Sequence, residues 1–216
     1  MINEKKILAI IPARGQSKRL PRKNVLPLKG KPLIAWTIEA ALASKYIDRV
    51  IVSTDNNEIA EISLQLGADI PFLRPSNLAT DESSSIDLVL YLLKKLEKFS
   101  EFYDYIMLLQ PTSPLRTVQN IDESIELLQS RSSDAVISVC EVDHSPLWSN
   151  IIPEDDDLSN FLDESVLNKR SQDLDQYYRL NGAIYLCNTD RIKKEKVFFI
   201  KSNCIAYKME KEKSID

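Results

Sequence analysis

Residues 7–24 read ILAIIPARGQSKRLPRKN, and this stretch decides the fold. Ile7–Ile11 is a continuous apolar run, as expected of a central strand that is buried on both faces of a parallel sheet. A loop follows directly, and it would open above the carboxyl end of that strand. Open α/β sheets bind their ligands at this edge, so the loop is the first candidate for a binding site.

The rest of the chain alternates apolar strands with amphipathic helices. Further strands are predicted at 49–53, 70–73, 105–109, 135–140, 182–187, 197–200 and 204–208. Helices are predicted after Pro32, from the capping-box-like Asp55–Glu58 to Gly67, across Ile86–Leu96 and across Ile121–Leu128. This alternation predicts an α/β fold of three α/β/α layers around a mostly parallel sheet with right-handed crossovers.

Residues 141–178 interrupt this rhythm. The segment is polar, contains the acidic run Glu154–Asp157 and shows no clean periodicity. It is too long to be a simple connection in a compact domain. We therefore predict one domain built from residues 1–140 and 179–216, with residues 141–178 as a small inserted arm that serves as a lid or as a dimer contact.

The composition excludes several classes of protein. The 216 residues are 44% hydrophobic and 28% charged, as in globular chains, and the net charge of −4 argues against a general nucleic-acid binder. Three distant cysteines exclude a complete disulfide framework within the chain, and the single histidine, His144, excludes a His-rich metal site. The apolar stretch after Lys6 is too short for a signal peptide, and no run approaches the length of a membrane span. We expect a cytoplasmic protein with no membrane partner.

Charge is concentrated at the amino-terminal end. Residues 1–31 hold nine bases and one acid, a net charge of +8, whereas the other 185 residues carry −12. Five of the bases fall between Arg14 and Lys23, in the loop after the first strand, with no acid among them. A nucleoside triphosphate, with about four negative charges, would suit such a loop, because Arg and Lys side chains neutralise phosphate oxygens.

The common phosphate-binding and nucleophile motifs are absent. The chain has only four glycines, and it contains neither G-x-G-x-x-G, nor G-x-x-x-x-G-K-S/T, nor G-x-S-x-G. The loop at residues 12–24 must therefore handle phosphate in another way. Gly15 lets the backbone turn its N–H groups toward a phosphate, Arg14, Lys18 and Lys23 supply charge, and Pro21 stiffens the loop.

Five segments of the chain, in order, resemble the CMP-sialic acid synthetases (acylneuraminate cytidylyltransferases), a family of sugar nucleotidyltransferases. They are the loop at 12–24, Val52–Asp55, the pair Arg74-Pro75 with Leu78–Ser85, Leu109–Arg116, and Arg179–Tyr185. The ending Lys213–Asp216 is similar to the start of the family's Ser-Ile-Asp-Ile-Asp metal motif. The resemblance covers essentially the whole chain and implies a Rossmann-like nucleotidyltransferase fold.

The resemblance also implies a reaction and a set of site residues. Enzymes of this family join CTP to the 2-hydroxyl of a nine-carbon acidic keto sugar with the help of Mg²⁺, giving the CMP-sugar and pyrophosphate. The residues that match catalytic positions are Arg14, Lys18, Lys23, Gln110 and Asp216. Those that match CTP-binding positions are Ala13, Arg14, Lys18, Asn24, Arg74, Ser83 and Ser85. Those that match the sugar side are Gln110, Arg170, Tyr185, Phe198 and Phe199, and Asp216 matches a metal ligand. A homodimer is implied as well, with the arm bringing Arg170 toward a neighbouring site.

Several of these residues have a structural interpretation beside the functional one. Ser83 and Ser85 fit a helix start, and the Gln110 amide fits a turn that closes the following proline loop. Phe198 and Phe199 lie in an apolar stretch, where core packing explains one of them equally well. His144 would serve packing or a partner contact rather than general-base catalysis.

Two departures from the family pattern leave alternatives open. The second aspartate of the metal motif is not within the 216 residues, and we expect the natural protein to continue past Asp216. Trp148 stands where some members carry a lysine near the sugar, so sialic, legionaminic and related nonulosonic acids all stay open. The alternatives to this function are a 3-deoxy-octulosonate cytidylyltransferase and a catalytically silent nucleotide-binding or assembly protein.

Overall fold

A computed structural model describes residues 4–17, 20–80 and 82–215. Its elements in chain order are β1 (Ile7–Pro12), β2 (Pro27–Leu28), β3 (Lys31–Pro32), α1 (Leu33–Leu42), β4 (Arg49–Ser53), α2 (Asn57–Gln65), α3 (Ser85–Glu97), β5 (Tyr105–Leu108), α4 (Val118–Ser130), β6 (Ala135–Glu141), β7 (Tyr178–Asn188), α5 (Thr189–Glu195) and β8 (Cys204–Met209). Within the described ranges, no helix is long and apolar enough to cross a membrane.

The central sheet has six strands in the order β4-β1-β5-β7-β6-β8. β1 pairs in parallel with β4 and β5, and β6 pairs in parallel with β8. β7 lies between β5 and β6 and is antiparallel to both. The predicted α/β class and mostly parallel sheet are therefore confirmed.

Two apolar clusters, one on each face of the sheet, form the core. β1 contributes to both, because Ile7, Ala9 and Ile11 point to one face while Leu8 and Ile10 point to the other. Helices α1, α2 and α4 cover the first face, and α3 and α5 cover the second. Fully burying each large aliphatic side chain contributes about 1.5–3 kcal/mol, so this strand is fixed firmly at the centre.

The start of α2 differs from the capping box expected at 55–58. Asn56, not Asp55, is the cap, and its side chain accepts a hydrogen bond from the Ile59 N–H at 3.1 Å. The Asp55 carboxylate instead accepts a hydrogen bond from the Gly15 N–H at 2.8 Å. Gly15 belongs to the loop at residues 12–24, called the cationic loop below, and this bond ties the loop to the start of α2. Gly67, with φ of +91°, follows the helix as predicted.

Two predicted strands are absent from the described ranges. Just before residues 70–73 the backbone forms only an isolated bridge, between Ile51 and Asp69. The stretch 197–200 follows helix α5, which the sequence analysis missed, and Ile200 packs into the second cluster without joining the sheet.

The predicted arm lies between two paired strands. Glu141 at the end of β6 pairs with Tyr178 at the start of β7. The intervening residues, all described, contain two short 3-10 turns, at Pro146–Trp148 and Ser171–Asp173, and no α-helix or strand. The division into a domain and an inserted arm stays a prediction.

Candidate active site

A pocket of about 290 Å³ lies at the carboxyl edge of the sheet, where β1 and β5 end. Pro12 comes from the end of β1 and Gln110 from the loop after β5. Seven of the residues singled out in the sequence line this pocket together: Arg14, Lys23, Asn24, Arg74, Ser83, Ser85 and Gln110. Thr80, Pro111 and Thr112 complete the lining with Pro12, and they received no role in the sequence analysis.

The cationic loop is tied to the end of β4. The Ala13 N–H donates to the Ser53 carbonyl at 2.9 Å and the Gly15 N–H to the Asp55 carboxylate at 2.8 Å. Position 15 has no room for a side chain, because a Cβ there would lie 2.8 Å from the Cβ of Asn56. Ala13 is fully buried in the first apolar cluster and lies outside the pocket lining.

Asn24 presents an unsatisfied acceptor at the pocket wall. Its side chain is 3% exposed, and its amide nitrogen donates to the Arg14 carbonyl at 3.0 Å. The amide oxygen is buried and has no hydrogen-bond partner among the residues that the structure describes. A buried acceptor without a donor costs about 1–3 kcal/mol. A ligand hydroxyl or amino group would remove that cost, so this oxygen is suited to receive one.

Arg74 is a buried cation in the pocket wall. Its guanidinium donates to the Ser53 hydroxyl at 3.2 Å and also to the Ser53 carbonyl, while the Arg74 backbone N–H donates to the Thr54 carbonyl at 2.7 Å. Burial lowers its pKa to about 10, with Asp55 opposing the shift and the Arg14 charge adding to it. Arg74 is therefore protonated at neutral pH, and it shares this end of the pocket with Arg14.

The two serines occupy different places at the start of α3. Ser84, not Ser83 or Ser85, caps the helix by accepting from the Asp87 N–H at 3.1 Å. The Ser83 hydroxyl lies 2.8 Å from the Thr80 hydroxyl and donates to the Asn77 carbonyl at 3.1 Å. Helix capping therefore does not explain Ser83, and both predicted serines face the pocket.

The Gln110 backbone is held from three directions. Its carbonyl accepts from the Thr37 hydroxyl at 3.5 Å, the Arg116 guanidinium at 3.2 Å and the Ser113 N–H at 3.3 Å. The turn is thus closed by main-chain groups, not by the Gln110 amide. The Gln110 side chain extends beside Gly182, where an added Cβ would lie 3.5 Å from its amide oxygen.

The remaining sugar-side residues lie outside the pocket lining. The Tyr185 and Phe198 rings are 5.7 Å apart, half-buried against the second apolar cluster. Phe199 is 63% exposed. Arg170 is exposed in the arm, beside the 3-10 turn whose Asp173 carboxylate accepts from its N–H at 3.2 Å. The structure therefore brings six of the predicted nucleotide residues together with Gln110, but neither Ala13 nor these four sugar-side residues line the pocket.

Lys18 and Asp216, which were predicted to bind triphosphate and metal respectively, lie outside the described residues. Among the residues that are described, no group of three or more His, Cys, Asp or Glu side chains is placed to hold a metal ion. His144 is exposed in the arm and does not line the pocket.

Sequence reasoning missed the residues that support the pocket from behind. Ser53, Asp55 and Arg116 each hold a lining residue or the cationic loop through a hydrogen bond. All three stand within the quoted motifs: Ser53 ends β4, Asp55 lies two residues beyond it, and Arg116 lies in the loop after β5, where functional residues are common.

Comparison with known structures supports the fold. CMP:2-keto-3-deoxy-manno-octonic acid synthetase complexed with CTP superimposes with a TM-score of 0.69 at 18% identity, over 95% of this chain and 90% of that chain. The 4-diphosphocytidyl-2C-methyl-D-erythritol synthase of Anaerococcus prevotii gives a TM-score of 0.65, also at 18% identity, over 98% and 92% of the two chains. At these identities the likeness establishes the nucleotidyltransferase fold alone.

Comparison of sequences identifies the family. The chain is 41% identical over 200 residues to CMP-N,N'-diacetyllegionaminic acid synthase of Legionella pneumophila, covering 90% of this chain and 83% of the relative. It is 37% identical over 180 residues to pseudaminic acid cytidylyltransferase of Campylobacter jejuni, covering 83% and 77%. N-acylneuraminate cytidylyltransferase of Escherichia coli is 41% identical over 216 residues, and the match spans 49% of that longer relative. Residues 8–211 match the family model described as Cytidylyltransferase. The chain belongs to the cytidylyltransferase family.

Proposed function

We propose that this cytidylyltransferase joins CTP to the 2-hydroxyl of a nine-carbon acidic keto sugar, a nonulosonic acid, and releases pyrophosphate. One observation carries the proposal: the buried, unsatisfied Asn24 amide oxygen lies in the same pocket as Arg14, Arg74 and Gln110. The three named relatives support it, since their names give N,N'-diacetyllegionaminic, pseudaminic and N-acylneuraminic acid as the sugars they activate.

The reaction needs positioning and charge neutralisation rather than a covalent intermediate. The sugar 2-hydroxyl oxygen bonds to the α-phosphorus of CTP as the bond to the bridging oxygen breaks, pyrophosphate leaves, and the hydroxyl proton is released to solvent. Arg14, Lys23 and Lys18 would neutralise the triphosphate, and this stabilises the pyrophosphate as it leaves. Asn24, Arg74 and the Ser83–Ser85 segment would hold the cytidine. The Asn24 amide oxygen would accept a hydrogen bond from the ligand.

Gln110 separates the proposed nucleotide side from the sugar side. It lines the nucleotide pocket while its amide lies beside Gly182 on β7. Tyr185, three residues further along β7, packs on Phe198, with Phe199 exposed next to it. These aromatic residues would receive the carbon chain of the sugar beyond Gln110.

The arm would complete the site through a homodimer. It exposes Ile151 (88%), Ile152 (61%), Leu158 (56%) and Leu167 (57%), and exposed apolar side chains of this kind mark contact surfaces. A second copy covering them would bring Arg170 toward a neighbouring sugar site. Light scattering checks this, since a fully active monomer at assay concentration would contradict the dimer.

Magnesium is part of the proposal through Asp216 and the nucleotide phosphates. Mg²⁺ keeps several waters and is bound by one or two carboxylates plus substrate phosphates, so it needs no cage of protein ligands. When bound, it would neutralise charge on the phosphoryl groups. The chain's own contribution is the cationic pocket, and Asp216 is its candidate ligand. A cytoplasmic location also stays a proposal.

The test is pyrophosphate release. The protein is incubated with CTP, Mg²⁺ and a panel of legionaminic, pseudaminic, sialic and 3-deoxy-octulosonic acids. We expect release with at least one nine-carbon acid and little with the eight-carbon acid. Release with the eight-carbon acid alone would assign the alternative substrate, and tight CTP binding without release from any acid would identify a silent nucleotide-binding protein.

A further inference from the structure

Arg116 is a fully enclosed cation behind the wall of the pocket. Its side chain is 2% exposed. One guanidinium nitrogen, Nη1, donates to the Ala183 carbonyl at 2.8 Å and the Gln110 carbonyl at 3.2 Å. The other two, Nε and Nη2, are buried and have no hydrogen-bond partner in the part of the chain that the structure describes. Among the described residues no carboxylate forms a salt bridge with it.

Stability does not account for this residue. Taking a charge out of water is costly, and apolar side chains of similar size often replace buried ions with no loss of stability. Burial lowers the Arg116 pKa to about 9, so the side chain still carries its charge at neutral pH. An enclosed cation whose described partners are all carbonyl groups calls for an explanation in the function of the site.

The position of Arg116 supplies that explanation. The pairing of β5 with β7 stops at Leu108 and Tyr185, which leaves a gap in the strand pairing on the pocket side of that pair. Arg116 bridges the carbonyls of Gln110 and Ala183, one from each side of this gap. The Gln110 amide extends across the gap to Gly182, the neighbour of Ala183. The bridge therefore sets how far apart the two walls stand where Gln110 reaches toward the sugar side.

We propose that Arg116 is a positioning residue for the acid substrate: it fixes Gln110 against β7 and places a positive charge, which no carboxylate of the described residues neutralises, behind the wall that the acid approaches. This inference rests on the proposed function. The charge acts from inside the protein, where salt screens it little, whereas the loop cations act from partly exposed positions.

The test compares three substitutions with a matched control. Arg116→Met removes the charge and the donors, Arg116→Gln keeps an amide donor, and Arg116→Lys keeps the charge. Arg131→Met removes an exposed arginine at the end of α4 and serves as the control. For each protein we measure the thermal midpoint, the CTP affinity by calorimetry, and kcat and KM for the acid at saturating CTP.

We expect Arg116→Met to fold and to lose on the order of 100-fold in kcat/KM for the acid, as expected when a reacting group is misplaced by about 1 Å. The CTP affinity should change by less than about threefold, since Arg116 does not line the nucleotide pocket. Lys should retain more activity than Gln, and Arg131→Met should match the wild type. If Arg116→Met fails to fold, the comparison of Arg116→Lys with Arg116→Gln shows whether the charge or the hydrogen-bond donor matters for activity.

An active wild type with an equally active Arg116→Met variant would overturn the inference alone. Gln equal to or better than Lys would overturn the role of the charge. A wild type that turns over no acid would refute the proposed function, and this inference with it.

Discussion

Replacing Gly15 by Ala tests whether the cationic loop works only when it is packed against β4 and α2. Gly15 does not have a positive φ, so alanine brings no backbone strain, and its effect is purely one of contact. The new Cβ would lie 2.8 Å from the Asn56 Cβ, whereas ordinary contact begins at 3.4 Å. The loop must therefore retreat by about 0.6 Å, and the bond from the Gly15 N–H to Asp55 must stretch with it.

This retreat moves Arg14, whose carbonyl also holds the Asn24 amide. Displacements of about 1 Å in a positioning group can cost on the order of 100-fold in rate, so we expect a loss of about 10- to 100-fold in kcat/KM for CTP. Overpacking itself costs about 1–3 kcal/mol of the free energy of unfolding. Calorimetric CTP affinity and steady-state kinetics measure the first effect, and urea unfolding measures the second.

A second substitution makes the reasoning refutable. Asn56→Gly removes the Cβ that the alanine meets, at a cost of only a few tenths of a kcal/mol because glycine is a tolerable helix cap. The Gly15→Ala/Asn56→Gly protein should recover most of the CTP affinity that Gly15→Ala loses. Gly30→Ala is the control, since its Cβ meets nothing within 4 Å although φ is +88°, and it should lower stability without changing CTP affinity. A Gly15→Ala protein with unchanged affinity, or one that Asn56→Gly does not rescue, would refute the packing argument.

The other predictions concern the charge, the core and the thiols. Arg14→Ala should weaken CTP binding by about 2–4 kcal/mol through the loss of a charge-assisted contact, and unchanged calorimetric affinity would remove Arg14 from the site. Ile10→Ala should lower the free energy of unfolding by about 2–5 kcal/mol, because the side chain is fully buried in the second cluster. Urea unfolding measures this change, and a decrease well below that range would contradict the packing. Burial raises the pKa of the Cys187 thiol to about 12, so a thiol reagent at pH 8 should leave Cys187 unmodified in the folded protein and label it after unfolding, as read by mass spectrometry.

The sequence predicted best the features that depend on local chemistry. β1 and β4 are readable because continuous apolar runs of this length suit strands covered on both faces. α3 is readable from its spacing of apolar residues. The pocket residues followed from the motifs of the resemblance, and the fold brings seven of them to one place.

The features it missed depend on neighbours that are distant in the chain. The stretch 197–200 is as apolar as a strand, but β8 takes the sheet position beside β6, and Ile200 packs into the second apolar cluster instead. By local sequence Asp55 fits a helix cap, but in the structure it accepts a hydrogen bond from the Gly15 N–H, 40 residues away in the chain. The role of Arg116 depends on the gap between β5 and β7, which no local pattern records.

The two buried arginines of this site, Arg74 and Arg116, are both held by neutral oxygen atoms. This explains how a protein with a net negative charge keeps a positive pocket. Arg74 is held by the carbonyl and hydroxyl of Ser53, and Arg116 by the carbonyls of Gln110 and Ala183. Carbonyl oxygens fix a guanidinium in place without cancelling its charge, whereas a carboxylate would neutralise it. Asp55, whose charge does act on Arg74, accepts the Gly15 N–H, so it anchors the cationic loop as well. Neutral partners therefore leave positive charge at the pocket that a triphosphate and an acidic sugar can use. A substitution that placed a carboxylate beside Arg74 should weaken CTP binding, and one that placed a carboxylate beside Arg116 should lower kcat/KM for the acid, even if it made the protein more stable.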